Sequence, residues 1–143
     1  FSDGIIENIA IEDVGNDGLD FSGSNVTITK ALIEKANDKG VSVGEKSNIQ
    51  IDDIKLIDTN IGVASKDLSE LKIKNINVTD SNIGVAAYQK KTEYGPGFIY
   101  INNIIIQDVD KSYIAEENSQ IKVNGKKINS SVNKLFIKTY IKW

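Results

Sequence analysis

The sequence predicts an all-β fold, a parallel β-helix whose chain coils through about six stacked rungs of 22 residues. Three observations predict it. Gly18, Gly40, Gly62 and Gly84 recur at an interval of 22; Asn16, Asp38, Asn60 and Asn82 precede them by two residues, and Leu19, Val41, Val63 and Val85 follow directly. A second apolar pattern runs through Ile49, Ile51, Ile54 and Leu56 and returns at the same interval as Leu71, Ile73, Ile76 and Val78. The segments between turns are too short to alternate with helices. Each strand therefore pairs with its equivalent one repeat later, in parallel, at about 4.8 Å per rung.

Taken in order, Ile6, Ile9 and Ile11 form a partial first copy, and Val26, Ile28, Ala31 and Ile33 the second. The two complete copies follow, then Ile99, Ile101, Ile104 and Ile106, and a weaker copy in Ile121, Val123, Lys126 and Ile128. Within each copy the two pairs at spacing two are period-2 strands, and the extra residue between them is a bend. Ile and Val dominate, as β-branched residues should on a pleated, buried surface. A third strand follows each glycine, as in Gly40-Val-Ser-Val43. Asn or Asp two residues before Gly is turn chemistry, with the glycine expected at positive φ. Stacked Asn16, Asp38, Asn60 and Asn82 are expected to bond side chain to side chain along the axis. Asp58, Asp80 and Asp108 form another column near that corner. These polar columns read as turn and ladder residues. Calcium suits their oxygens, but no set of them singles out a metal site, and no cofactor is expected.

The repeat breaks once. After Gly84 the period lengthens to 28, which places Ser112 where the next glycine would stand. The six extra residues lie within Tyr88–Gly97. Insertions in solenoids form loops on one face, often the binding face. Tyr88, Lys90, Lys91, Glu93 and Tyr94 are thus the candidate ligand-binding residues, the tyrosines to stack on sugar rings and the lysines to meet carboxylates of an acidic glycan; the alternative is a solvated loop whose tyrosines cover the next rung. Asp20, Ser42, Ala64, Ala86 and Ile114 should face outward, and this column turns apolar toward the C-terminal end. Ala64 and Ala86 read as a flat surface for another subunit or loop. The last segment, Val132–Trp143, alternates Leu135, Ile137, Thr139, Ile141 and Trp143 against Phe136, Lys138, Tyr140 and Lys142, and reads as a strand. Residues 129–143 are accordingly expected to form a C-terminal capping strand, or a strand packed along the coil, on a single domain spanning 1–143. No matching cap is visible at Phe1. The open first rung and the Ala64/Ala86 face are the two expected routes to a homo-oligomer, and the start at Phe1 reads as the C-terminal part of a longer chain.

Composition removes several function classes. The 17 basic residues are all lysine against 20 acidic ones, a net charge of −3, so nucleic acid is not an expected partner. Without His or Cys the Ser-His-Asp and Cys-His arrangements are excluded, as are nearly all zinc and copper sites. No apolar run approaches the length of a membrane span.

The repeat length, the inward Ile/Val/Leu columns, the Asn column and the short turns resemble the right-handed parallel β-helix of the pectate-lyase-like superfamily, over residues from about Ile5 to Ile128. The resemblance implies a right-handed coil and a glycan-related role. The chain departs from the superfamily's enzymes in having no arginine and no histidine, residues on which pectate-lyase, polygalacturonase and epimerase chemistry generally relies. Asp52-Asp53 mimics one fragment of the polygalacturonase aspartate set but sits at the bend between Ile51 and Ile54. One catalytic route survives, a lysine base of lowered pKa beside calcium. Lys39, Lys66, Lys90 and Lys91 are available for it, with Asp17, Asp20, Glu45 and Asp67 as oxygen donors. The expectation is a non-catalytic, carbohydrate-associated or structural module of a secreted or surface protein. The alternatives are the C-terminal portion of a polysaccharide lyase, and a self-associating adhesin or fibre segment.

Overall fold

The computed structural model describes residues 2–129 and 131–141. They form a parallel β-solenoid. Its turns are β1 (Ser2–Val14) with β2 (Leu19–Ser22), then β3 (Ser24–Gly44), β4 (Asn48–Lys66), β5 (Glu70–Tyr88) and β6 (Phe98–Glu116), these four each continuous through their bends, and β7 (Gln120–Val123) begins the last. The turns from β1 to β6 pair in parallel along most of their length, and β7 continues the stack only over Gln120–Val123. One side-chain column runs Ile6, Ile28, Ile51, Ile73, Ile101, Val123, and others stack Leu19 on Val41, Val63, Val85 and Tyr113. The inward columns merge into one core whose members from Ile28 to Ile101 are almost fully buried. The register slips once between β3 and β4, between Ala36 and Lys39, where an interval of 23 reverts to 22.

The repeat glycines are in place for a reason other than the expected one. Positive φ falls instead on Asp13, Lys35, Asp58, Asp80 and Asp108, at 52–59°. The aspartates of this column tolerate the left-handed region better than most side chains do. Gly18, Gly40, Gly62 and Gly84 lie outside that region. Their constraint is contact: a Cβ on Gly62 would stand 2.6 Å from the Gly84 carbonyl oxygen. The expected ladder is present between Asn82 and Asn60, whose amides bond at 2.9 Å. A longer one links Asn103, Asn75 and Asp53. A serine column also binds the coil: Ser24 N–H donates to Ser47 Oγ at 3.0 Å, Ser47 N–H to Ser69 Oγ at 3.1 Å, and Gly97 N–H to Ser119 Oγ at 3.0 Å. These serines are buried, so each hydroxyl satisfies a backbone donor that water cannot reach.

The C-terminal end departs from expectation twice. Lys126 and Ile128 do not continue the sixth rung. Asn124-Gly125, both at positive φ, turns β8 (Lys126–Lys127) back antiparallel onto β7, as such a dipeptide does in hairpins. The expected capping strand is replaced by β9 (Ser131–Val132), paired with Ala115 and Glu116, and a short helix α1 (Lys134–Tyr140). Asn133 caps the helix, its side chain accepting the Phe136 N–H at 2.9 Å. The spacing of Ile137 and Ile141 fits one helix face as well as one strand face, and the N-cap favours the helix. Phe1, Lys142 and Trp143, part of the expected ends, lie outside the described residues.

That helix also corrects the Ala64/Ala86 reading. Ala64 and Ala86 are fully buried with Ile61, Ile83, Tyr88 and Ile114 against Ile137 and Ile141. The apolar outer column is covered in cis by the chain's own C-terminal helix and is not open to a second subunit. The first rung does keep its inner residues only partly covered: Ile6, Ile9, Ile11 and Val14 are half-buried, and Ile5 is 77% exposed. Among the described residues no helix is long and apolar enough to cross a membrane.

Candidate functional site

The insertion folds back over the turns of preceding rungs. Asp67, fully buried in a left-handed turn, accepts the N–H groups of Lys90 and Lys91 on one carboxylate oxygen, each at 2.8 Å. Leu68 N–H donates to the Pro96 carbonyl at 2.8 Å. The Gln89 side-chain amide donates to the Lys91 and Tyr94 carbonyls at 3.0 and 3.1 Å, closing the loop on itself. Lys91 pairs with Glu45 two rungs back, and the Lys46 ammonium stands 5.9 Å from the Tyr94 ring centre. The bond from Lys91 holds the Glu45 carboxyl below its ordinary range and raises the Lys91 ammonium.

These contacts redistribute the five candidate residues. Tyr88 is 1% exposed, stacked between Lys66 and the helix-covered face, and cannot receive a sugar ring. Burial, followed by the charges of Asp38, Asp17, Asp67 and Glu116, pushes its hydroxyl pKa well up. Lys91 is committed to Glu45, and one side of Tyr94 to Lys46. Lys90 and Tyr94 remain half-exposed and Glu93 exposed.

Beside the loop, the outer face of the third strand gathers charge. Lys66 lies flat over Gly44, where a Cβ would stand 3.0 Å from its Cε, and its Nζ donates to Ser42 Oγ at 2.9 Å. Burial lowers the Lys66 pKa; the Lys39 and Lys90 charges lower it further, while Asp20 and Asp17 oppose them. Asp17 accepts the Lys39 N–H at 3.0 Å, and burial raises its carboxyl. The Lys39 ammonium pairs with Asp38 at 2.9 Å, both nearly buried. Lys39, Lys66, Lys90, Asp17 and Asp20 thus share one face, whereas Glu45 and Lys91 pair with each other beside it.

Ser42, Gly44, Gln89, Glu116 and Lys134 also shape this region. Gly44, Lys66, Tyr88 and Glu116 follow the same intervals as the repeat, so their shared column was readable; the reach of Lys134 onto it was not. Among the described residues no three acidic side chains are arranged to hold a metal ion. A separate open groove of about 320 Å³ runs over Ala31, Ile54 and Ile76 between the Asp53–Asn75–Asn103 ladder and Ile105.

The class defined by these features is a parallel β-solenoid with an ordered loop inserted against one outer face. No protein-family model matches the chain, and neither curated proteins nor solved structures contain a match. The parallel β-solenoid itself is what the structure supports.

Proposed function

We propose that this chain is a carbohydrate-associated β-solenoid module of a secreted or surface protein, which binds an acidic glycan through Lys66 and Lys90 with Tyr94 at the edge of the site. The observation that carries this reading is the half-buried Lys66 ammonium, held on Ser42 Oγ at 2.9 Å over Gly44, where burial and then the charges of Lys39 and Lys90 disfavour its protonated form. A carboxylate bound there would relieve the repulsion and accept charge-assisted hydrogen bonds. Titration calorimetry with oligouronides is expected to show Lys66→Gln and Lys90→Gln each weakening binding about tenfold, the scale of one bond to a charged group. Because the Lys66 pKa is depressed, its ammonium is present below that value and lost above it, so affinity should fall as pH rises through the Lys66 titration. Unchanged affinity in both variants would remove this face as the site.

The lowered Lys66 pKa also favours a second reading, elimination from a uronate by a lysine base. The Lys66 amine would take the proton α to the carboxylate. The C–H electrons would form the new double bond as the β carbon–oxygen bond breaks, and the leaving oxygen would take a proton from water. Incubating the protein with polyuronate and following the ultraviolet absorbance of unsaturated product tests it; a flat trace sinks the lyase and leaves the binding module.

A further inference from the structure

Resting on that binding reading, we infer that the C-terminal helix sets the conformation of the glycan-facing loop through Lys134, Glu116 and Gln89. The Glu116 carboxylate, 7% exposed, accepts the Gln89 N–H at 2.7 Å and the Lys134 ammonium at 2.9 Å. Lys134 also donates to the Gln89 carbonyl. The first residue of α1 therefore grips both backbone groups of the first loop residue, one directly and one through a buried carboxylate. Gln89 passes the constraint on, since its side-chain amide holds the Lys91 and Tyr94 carbonyls. From there the Lys90 and Lys91 N–H groups are locked on Asp67.

Each link is a partly buried bond, and at its centre the Glu116 carboxylate is buried, so losing a partner there leaves a charge poorly satisfied. The helix itself is anchored independently by Ile137 and Ile141 in the apolar outer column. Packing of the helix and order in the loop are thus joined at one polar junction. Lys134, Glu116 and Gln89 are positioning residues: they touch no ligand, and they fix where Lys90 and Tyr94 stand. A helix that docks or lifts would raise or lower affinity at a loop it does not cover. Such coupling is reciprocal, so the loop must in turn hold the helix.

Amide exchange followed by nuclear magnetic resonance on the full chain tests the junction without any glycan. Lys134→Gln is expected to speed exchange of the Lys90 and Lys91 amides about tenfold, with Lys134→Arg restoring slow exchange. In the opposite direction, Gln89→Ala should speed exchange of the Ile141 amide, which bonds to the Ile137 carbonyl. Unchanged loop exchange in Lys134→Gln, or unchanged helix exchange in Gln89→Ala, overturns the coupling and leaves α1 a plain cap. Were Lys134→Gln to unfold, Gln89→Ala would decide alone. A wild-type chain that binds no oligouronide would fail the glycan reading while leaving these exchange results to stand.

Discussion

Gly62→Ala is expected to destabilise the solenoid by about 1–3 kcal/mol, the usual cost of overfilling a packed site. Elsewhere the same change tends to stabilise by about 0.4–1 kcal/mol, because alanine narrows the unfolded ensemble. Gly62 lies outside the left-handed region, so backbone conformation does not forbid alanine. The obstacle is the next rung. Its Gly84 carbonyl oxygen would stand 2.6 Å from the new Cβ, with the two Val78 methyls at 3.2 and 3.3 Å. The methyls can give way by a few tenths of an ångström. The carbonyl belongs to a backbone paired on both sides, at Ile61 with Ile83 and at Ile83 with Lys111, and it moves only if the rungs separate. Gly15→Ala is the control, since nothing lies within 4 Å of its added carbon; it should change stability by less than about 0.5 kcal/mol. Urea unfolding of both variants reads the difference. Equal stabilities would refute the packing account.

The glycine column shows what a sequence of this kind makes legible. The interval of 22 was enough to place the inward columns of the middle rungs and to locate the insertion between Tyr88 and Gly97, because parallel stacking turns a sequence period directly into a contact. It did not reveal which corner needs positive φ. Aspartate and glycine both suit such a turn, and only the coil's geometry assigned the task to Asp13, Asp58, Asp80 and Asp108. The serine column was equally periodic, yet a serine beside a strand carries no mark of the buried N–H it will satisfy. At the C-terminus, alternation and helical spacing coincide over too few residues to separate, and Asn133 was the deciding signal.

The candidate site was legible in parts. Lys39, Lys66, Lys90, Asp17 and Asp20 could be named as available charges near the strand after the glycine. Which of them converge depends on how the inserted loop turns back, and that rests on single contacts such as Asp67 with the Lys90 and Lys91 amides, outside any period. Tyr88 points outward by strand alternation, as a binding tyrosine should. It is buried because α1 covers the face beside it, a contact between positions far apart in the chain, as is that of Lys134 with Gln89.

Ile51→Ala carries the largest expected cost, about 2–5 kcal/mol, as for other fully buried isoleucines cut back to alanine. Ile51 is wholly enclosed, stacked between Ile28 and Ile73 in a column that runs from Ile6 to Val123. In a solenoid, stability is nearly a sum of rung and nearest-neighbour terms. A cavity at Ile51 weakens two interfaces at once. Ile6 occupies the same column, but it is half-buried and has a stacked partner only at Ile28. Ile6→Ala should therefore cost less than half as much, about 1 kcal/mol, and should loosen only the first rung in amide exchange. Equal costs in urea unfolding would contradict the additive picture. Protein concentration separates one further case. If second copies stack end to end on the first rung, Ile6 gains a partner on its open side, and the cost of Ile6→Ala will grow with concentration while that of Ile51→Ala stays fixed.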